Sequence, residues 1–164
     1  MLGGKVIQLK SGEFKFKDIE DQRTEYKQSM FSPNLSKIKQ MEETDPKIHS
    51  RLVEGKKNSL INEVLSSVCA FLNTNNGGIY IGVADKPRKI IGLSVDKNSG
   101  EFKKELSYSE FQEKYKKKIL QLMKKRIKNF DPSYVDGIGY PDNYGEDDNG
   151  DGVDVLYIPC TKIP

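Results

Sequence analysis

One carboxylate closes the most ordered stretch of this sequence. Asn73-Thr-Asn-Asn-Gly-Gly-Ile-Tyr-Ile-Gly-Val-Ala-Asp85 reads as a turn, a strand and then an acid. The Asn and Gly residues favour a tight turn, and Ile79, Ile81 and Val83 alternate with Tyr80, Gly82 and Ala84 at strand period. Gly82 weakens a strand unless another backbone or a ligand must come close. A second polar group lies in Arg23-Thr-Glu-Tyr-Lys-Gln-Ser29, where period 2 sets Arg23, Glu25 and Lys27 on one face. A carboxylate between two cations is either an ion pair, which is common on surfaces and contributes little, or a polar site. A third group is cationic. Lys114, Lys117, Lys118, Lys124, Lys125 and Lys128 crowd one segment, and Lys56 and Lys57 stand together earlier. Such lysines either solvate a surface or contact phosphates, and phosphate contacts carry no sequence specificity.

Other chemistries lack material. His49 is the single histidine, and Cys69 and Cys160 are the only cysteines. That leaves no zinc cluster, no serine–histidine triad, no cysteine–histidine pair and no disulfide framework. Asp147, Asn149 and Asp151 before Gly152 fit the start of a calcium loop, but Ile158 stands where the bidentate Glu belongs, so an acidic hairpin loop is the better reading. The net charge of +3 conceals an asymmetry: residues 1–130 carry 26 Lys+Arg against 16 Asp+Glu, whereas residues 131–164 carry Lys162 against 8 acids. A basic body suits a polyanionic partner, or is plain lysine-rich surface. No apolar run approaches the roughly 20 residues of a membrane span, nor the core of a signal peptide, so the expected compartment is the cytoplasm.

The elements that must position these groups follow from periodicity. Residues 1–19 form an extension with a possible edge strand at Glu13-Phe-Lys-Phe-Lys17. Residues 20–164 form the domain, with a long polar insertion expected at 30–57. After Asn58, a plausible N-cap, Ile61, Val64, Leu65, Val68, Cys69, Phe71 and Leu72 follow helical spacing over a broad apolar face. Because the glycine turn follows this helix and precedes a strand, dinucleotide and P-loop motifs are excluded; both need the opposite order. A Lys86-Pro87-Arg88 turn then joins the strand to Lys89–Leu93, and residues 94–107 read as a polar connection. Tyr108, Phe111, Tyr115, Ile119, Leu122 and Ile127 give a second helix up to Phe130, with its lysines mainly elsewhere on the cylinder. Tyr134–Ile138 and Val153–Ile158 read as a closing strand pair. The predicted order is strand-helix-strand-strand-helix-strand-strand. That is a single α+β domain, a mixed sheet packed by two main helices.

Two blocks resemble the Schlafen family. Glu20-Asp-Gln-Arg-Thr-Glu-Tyr-Lys27 is similar to its E-x-x-x-x-E-[FY]-K motif. Val68-Cys-Ala-Phe-Leu-Asn-Thr-Asn-Asn-Gly-Gly-Ile-Tyr-Ile-Gly-Val-Ala-Asp85 is similar to its "C-A-[FL]-x-N-T-x-G-G", strand, acid block. Lys89–Leu93 and Val155–Pro159 resemble the strands that follow. The chain departs from the pattern at 30–57, in one extra residue of the Asn-Gly turn and in the acidic loop at 142–152. The resemblance implies an AlbA-like domain and, for several members, an endoribonuclease that cuts structured RNA such as tRNA. It implies a metal set of Glu20, Glu25 and Asp85 holding Mg2+ or Mn2+, with Lys27 as a neighbouring cation. Glu20 and Glu25 are five apart, so both can reach one ion only if the chain bends before the strand. It also leaves open a non-catalytic DNA- or RNA-binding module, a homodimer, or a structural subunit beside a Schlafen-like partner chain.

Overall fold

The computed structural model describes residues 6–16, 23–74, 76–84 and 88–163. Glu20, Asp85 and the Lys86-Pro87 turn lie outside the described residues. The architecture is one α+β domain. Strands β1 (Val6–Gln8) and β2 (Phe14–Phe16) make an antiparallel hairpin. Strand β3 (Thr24–Lys27) leads through helices α1 (Met41–Thr44) and α2 (Pro46–Asn73) to β4 (Gly77–Ile81). Helices α3 (Ser94–Lys97) and α4 (Tyr108–Arg126) follow, then a hairpin of β5 (Asn143–Glu146) and β6 (Gly152–Asp154), and finally β7 (Leu156–Cys160). The central sheet has the order β3-β4-β7, with β3 parallel and β7 antiparallel to β4. A parallel pair needs a long crossover, and α2 supplies it.

Each sheet face has its own core. On one side Ile79, Ile81, Leu156 and Ile158 meet the buried residues of α2 and α4. Helix α4 buries Phe111, Tyr115, Ile119 and Met123, a spacing of four that keeps one stripe inward. Burying each such side chain stabilises the fold by roughly 1.5–3 kcal/mol. Ser107 and Glu110 close a capping box at its start. On the other side Tyr26, Tyr80 and Tyr157 stand in register across the three strands, with ring centroids 5.7 and 4.5 Å apart. Phe16 of the first hairpin packs on Tyr26 and Tyr80.

Several expectations are corrected. Residues 46–57 are not loop but the start of α2: Pro46 occupies its first turn, and Asn58 lies in mid-helix. Val83 does not share a face with Ile79 and Ile81. Gly82 takes φ +107°, and the carbonyl of Lys27 accepts from both Gly82 N and Val83 N, at 2.9 and 3.1 Å. This bulge inverts the alternation and sends Val83 into the aromatic core beside Tyr80. A Cβ on Gly82 would stand 3.1 Å from the carbonyl oxygens of Asp154 and Gly92. Residues 89–93 make only isolated bridges, Lys15 to Lys89 and Val83 to Ile90. Tyr134–Ile138 is not a strand; Pro132–Val135 winds as a 3-10 turn, and Gly139 alone bridges to Tyr157. Helix α4 ends at Arg126, and Met123 rather than Leu122 is fully buried.

Two buried carboxylates tie α4 to the rest. Asp96, fully buried, accepts from Met30 N (2.7 Å), Phe31 N (3.1 Å), the Ser32 hydroxyl (2.8 Å) and the Tyr115 hydroxyl (2.5 Å). Burial pushes its carboxyl above the usual range, and those four donors oppose the push. Asp154, 1% exposed, accepts from the Tyr108 hydroxyl and from Gln112 Nε2, the latter at 2.5 Å. Asp96→Ala leaves buried donors without an acceptor and should cost about 3 kcal/mol or more in urea unfolding, against about 1 kcal/mol for Tyr115→Phe. Burial lifts Asp154 from the ordinary 3.8 to about 6. Its folded form therefore holds a proton that the unfolded chain has released between about pH 4 and 6, and its contribution to stability falls as pH rises through that window. The stability difference between wild type and Asp154→Asn should decline across the same window and level off above about pH 7, as urea midpoints will show.

Candidate functional site

Strand β3 sets the site. Its register against β4 pairs Glu25 with Ile79 and Lys27 with Ile81, so Glu25 and Lys27 share the face that looks toward α2, while Tyr26 turns to the aromatic core. β3 is an edge strand, and at that edge Glu25 is exposed and has no ion-pair partner among the described residues. Lys27 is not its partner. Its ammonium lies 2.6 Å from Glu63 Oε1 on α2, with the Lys27 side chain 15% exposed and that of Glu63 61%. Lys27 therefore does not pair with Glu25, whose carboxylate has no ion-pair partner among the described residues.

Glu63 carries no signal in the sequence. It sits on the rim of the apolar face of α2, next to Val64, and nothing in its spacing singles it out. Only the placement of α2 over the end of β3 brings it to Lys27. Glu20 and Asp85 lie outside the described residues. Among the described residues no group of three or more His, Cys, Asp or Glu converges as a metal site. The donor that can be judged, Glu25, is a hard oxygen ligand on an open edge, which fits a Mg2+ or Mn2+ ion completed by other carboxylates and water.

The cationic candidates divide into two sets. Lys57 and Lys118 converge on Glu101, at 3.3 and 2.8 Å, and the bond from Lys118 leads in holding that carboxyl below its usual range. The Lys118 ammonium also stands 5.4 and 5.5 Å from the ring centres of Phe31 and Phe102. These two lysines clamp α2 and α4 to the segment before α4; Lys56, next to Lys57 in sequence, is half-buried. In contrast, Lys114, Lys117, Lys124 and Lys125 are exposed on α4, with Lys128 just beyond it. None of these five has an ion-pair partner among the described residues. The four on α4 lie on the side away from the buried Phe111–Met123 stripe, as helical spacing requires, and make a mainly basic face in which Glu110 also falls. Lys124, Lys125 and Arg126 also fall in the last turn, where cations complement the helix dipole. Arg126 itself bonds Asn62 and Asn58 of α2, at 2.9 and 3.2 Å.

The acidic loop has no free ligand array. Asp147 Oδ1 accepts from Asn149 N and Asp151 N, Asp151 pairs with Lys97, and Asp154 turns inward to α4. Among the described residues no helix is long and apolar enough to cross a membrane. No curated protein and no solved structure matches the chain. The family model described as Schlafen, AlbA_2 matches residues 20–138, which takes in β3 with Glu25 and Lys27, the α2–β4 unit and the basic face of α4. The chain belongs to the Schlafen AlbA_2 family, and its domain is of a nucleic-acid-binding or nuclease-like kind.

Proposed function

We propose that this domain is a divalent-metal-dependent endoribonuclease acting on structured, tRNA-like RNA in the cytoplasm. The observation that carries the reading is the exposed Glu25, without an ion-pair partner among the described residues, two residues before a Lys27 that is already fixed by Glu63. Glu20, Glu25 and Asp85 would hold Mg2+ or Mn2+. The ion would polarise a phosphoryl oxygen and acidify a bound water. The chain's own work is different. Lys27, on the same face as Glu25, presents a cation where negative charge grows on the phosphate in the transition state. Glu63 keeps that ammonium from swinging into solvent, so little reorganisation is needed when the charge develops. The basic face of α4 grips the backbone of a folded RNA, which is recognised largely by shape and phosphate.

The exposed lysines favour a second reading, because they need no carboxylate to act. In it the domain binds RNA or DNA without cutting, alone, as a homodimer, or as a structural subunit beside a Schlafen-like catalytic chain. Two measurements separate the readings. With Mn2+ and a labelled tRNA, wild type should cut, and Glu25→Ala and Asp85→Ala should each lose at least about 100-fold in rate while still binding. A wild type that binds but never cuts, with any divalent metal, leaves the second reading. Replacing Lys114, Lys117, Lys124, Lys125 and Lys128 by Ala should weaken RNA binding, and the slope of log K against log salt should shrink by about 0.7–0.9 for each phosphate that is no longer neutralised. An unchanged slope removes the α4 face from the interface.

A further inference from the structure

A cleft of about 500 Å3 opens beside Lys27, at the carboxyl end of β3. The segment after β3 forms one side, Leu60 of α2 another, and Val95 of α3 a third. Its size is that of small-molecule sites, and its lining is about evenly polar and apolar, with Leu35, Leu60 and Val95 in the apolar part. Leu60 and Leu35 are half-buried, and Val95 is 46% exposed. Polar capacity comes from Gln28 and Asn34. Among the described residues the Gln28 amide has no partner, and Asn34, whose oxygen accepts from Ser36 N at 3.0 Å, has none at its Nδ2 donor. The walls are held in place beforehand. Ser29 donates to the Ser32 carbonyl at 2.9 Å, Asp96 secures Met30, Phe31 and Ser32 from behind, and the Ser32 oxygen that donates to Asp96 also lies 3.0 Å from the Val95 carbonyl.

We propose that this cleft is a nucleobase subsite, which takes one splayed base of the RNA strand between Leu60 and Val95 and reads its edge with Gln28 and Asn34. The proposal rests on the RNA reading of the domain and extends it from backbone grip to base preference. The chemistry matches. A base has two flat apolar faces, which suit opposed aliphatic walls, and an edge of alternating donors and acceptors, which side-chain amides pair with. Sequence-selective RNA recognition works mainly on such unstacked bases. Position matches as well. Lys27 lines the cleft and also belongs to the β3 face of Glu25, so a nucleotide whose base is seated here has its phosphate beside the candidate reaction centre.

The test uses the full chain, 15N-labelled and without metal, titrated separately with AMP, GMP, CMP and UMP. The expected result is saturable shifts at the Gln28 and Asn34 side-chain amides and at Val95 N–H, with roughly millimolar affinity that differs among the bases. Val95→Arg, a change at an exposed position, should keep the spectrum's dispersion and weaken that binding by at least about tenfold. No cleft shifts at saturating nucleotide, or Val95→Arg binding as wild type does, overturns the proposal. A parallel arm measures binding and cleavage of tRNA. If tRNA is bound and cut by wild type and Val95→Arg at the same positions, the subsite fails while the nuclease reading stands. If tRNA is neither bound nor cut but a mononucleotide still fills the cleft, the nuclease reading fails and the cleft stands as a free-nucleotide site.

Discussion

The Asp96 carboxylate is the constraint on which the arrangement depends. Taking an ionised carboxylate out of water costs several kcal/mol unless its lone pairs are filled, and here two backbone N–H groups and two hydroxyls fill them. The four donors come from the segment that leaves β3 and from the middle of α4. One short helix, α3, thereby fixes the exit of the candidate site strand and the roll of the basic helix together. Rotating α4 to move its lysines would break the Tyr115 bond; moving the segment after Lys27 would strand Met30 and Phe31 N–H in an apolar core. Such a network gives little tolerance for one missing member, which is the physical reason a polar anchor at this place specifies geometry better than another apolar contact.

Gly82 imposes the second constraint. Without the bulge, Val83 would continue on the α2 side and compete with Leu156 and Ile158 for a core that is already closed. With it, β4 serves both faces: Ile79 and Ile81 toward the helices, Tyr80 and Val83 toward the aromatic layer. The positive φ and the crowding by two carbonyls explain why glycine is required there. The sequence shows the glycine and suggests a close backbone approach; it does not show that Asp154, distant along the chain, supplies one of the two carbonyls.

What is legible in the sequence has short-range periodicity or a local motif behind it. The stripe Phe111, Tyr115, Ile119 and the buried positions of α2 from Ile61 onward stand as expected, and so does the α+β class. The misread segments lack such a signal. Between Pro46 and Leu60 helix α2 buries nothing, so no apolar rhythm betrays it, and a solvated helix there looks like loop. Tyr134–Ile138 has strand-forming residues, but Pro132 and the Asp131 side chain, which accepts from Ser133 N, start a tight turn instead. Asp96 sits in a stretch of polar residues where burial of one carboxylate leaves no trace. Lys118 belongs to the same lysine-rich run as the exposed Lys117, and only the position of Glu101 separates the clamp from the open face.

For the proposed nuclease, the pairing of Lys27 with Glu63 bears on how a lysine beside a reacting phosphate would be useful at all. A free lysine is a flexible, strongly hydrated charge, and each reaction cycle would have to order it and strip its water. Lys27 is already mostly covered, its ammonium fixed at 2.6 Å by a carboxylate that itself stays 61% exposed. The carboxylate screens part of the charge in the resting state, yet it faces water and can be outcompeted by a phosphate arriving on the other side. The arrangement exchanges some electrostatic strength for position, and position is the larger share when charge appears only in the transition state. The same geometry separates two roles within the domain. Under the proposed function, exposed lysines on α4 would bring the polyanion in through long-range, salt-screened attraction, while the half-buried lysine on β3 would meet a single phosphate at short range, where salt screens little.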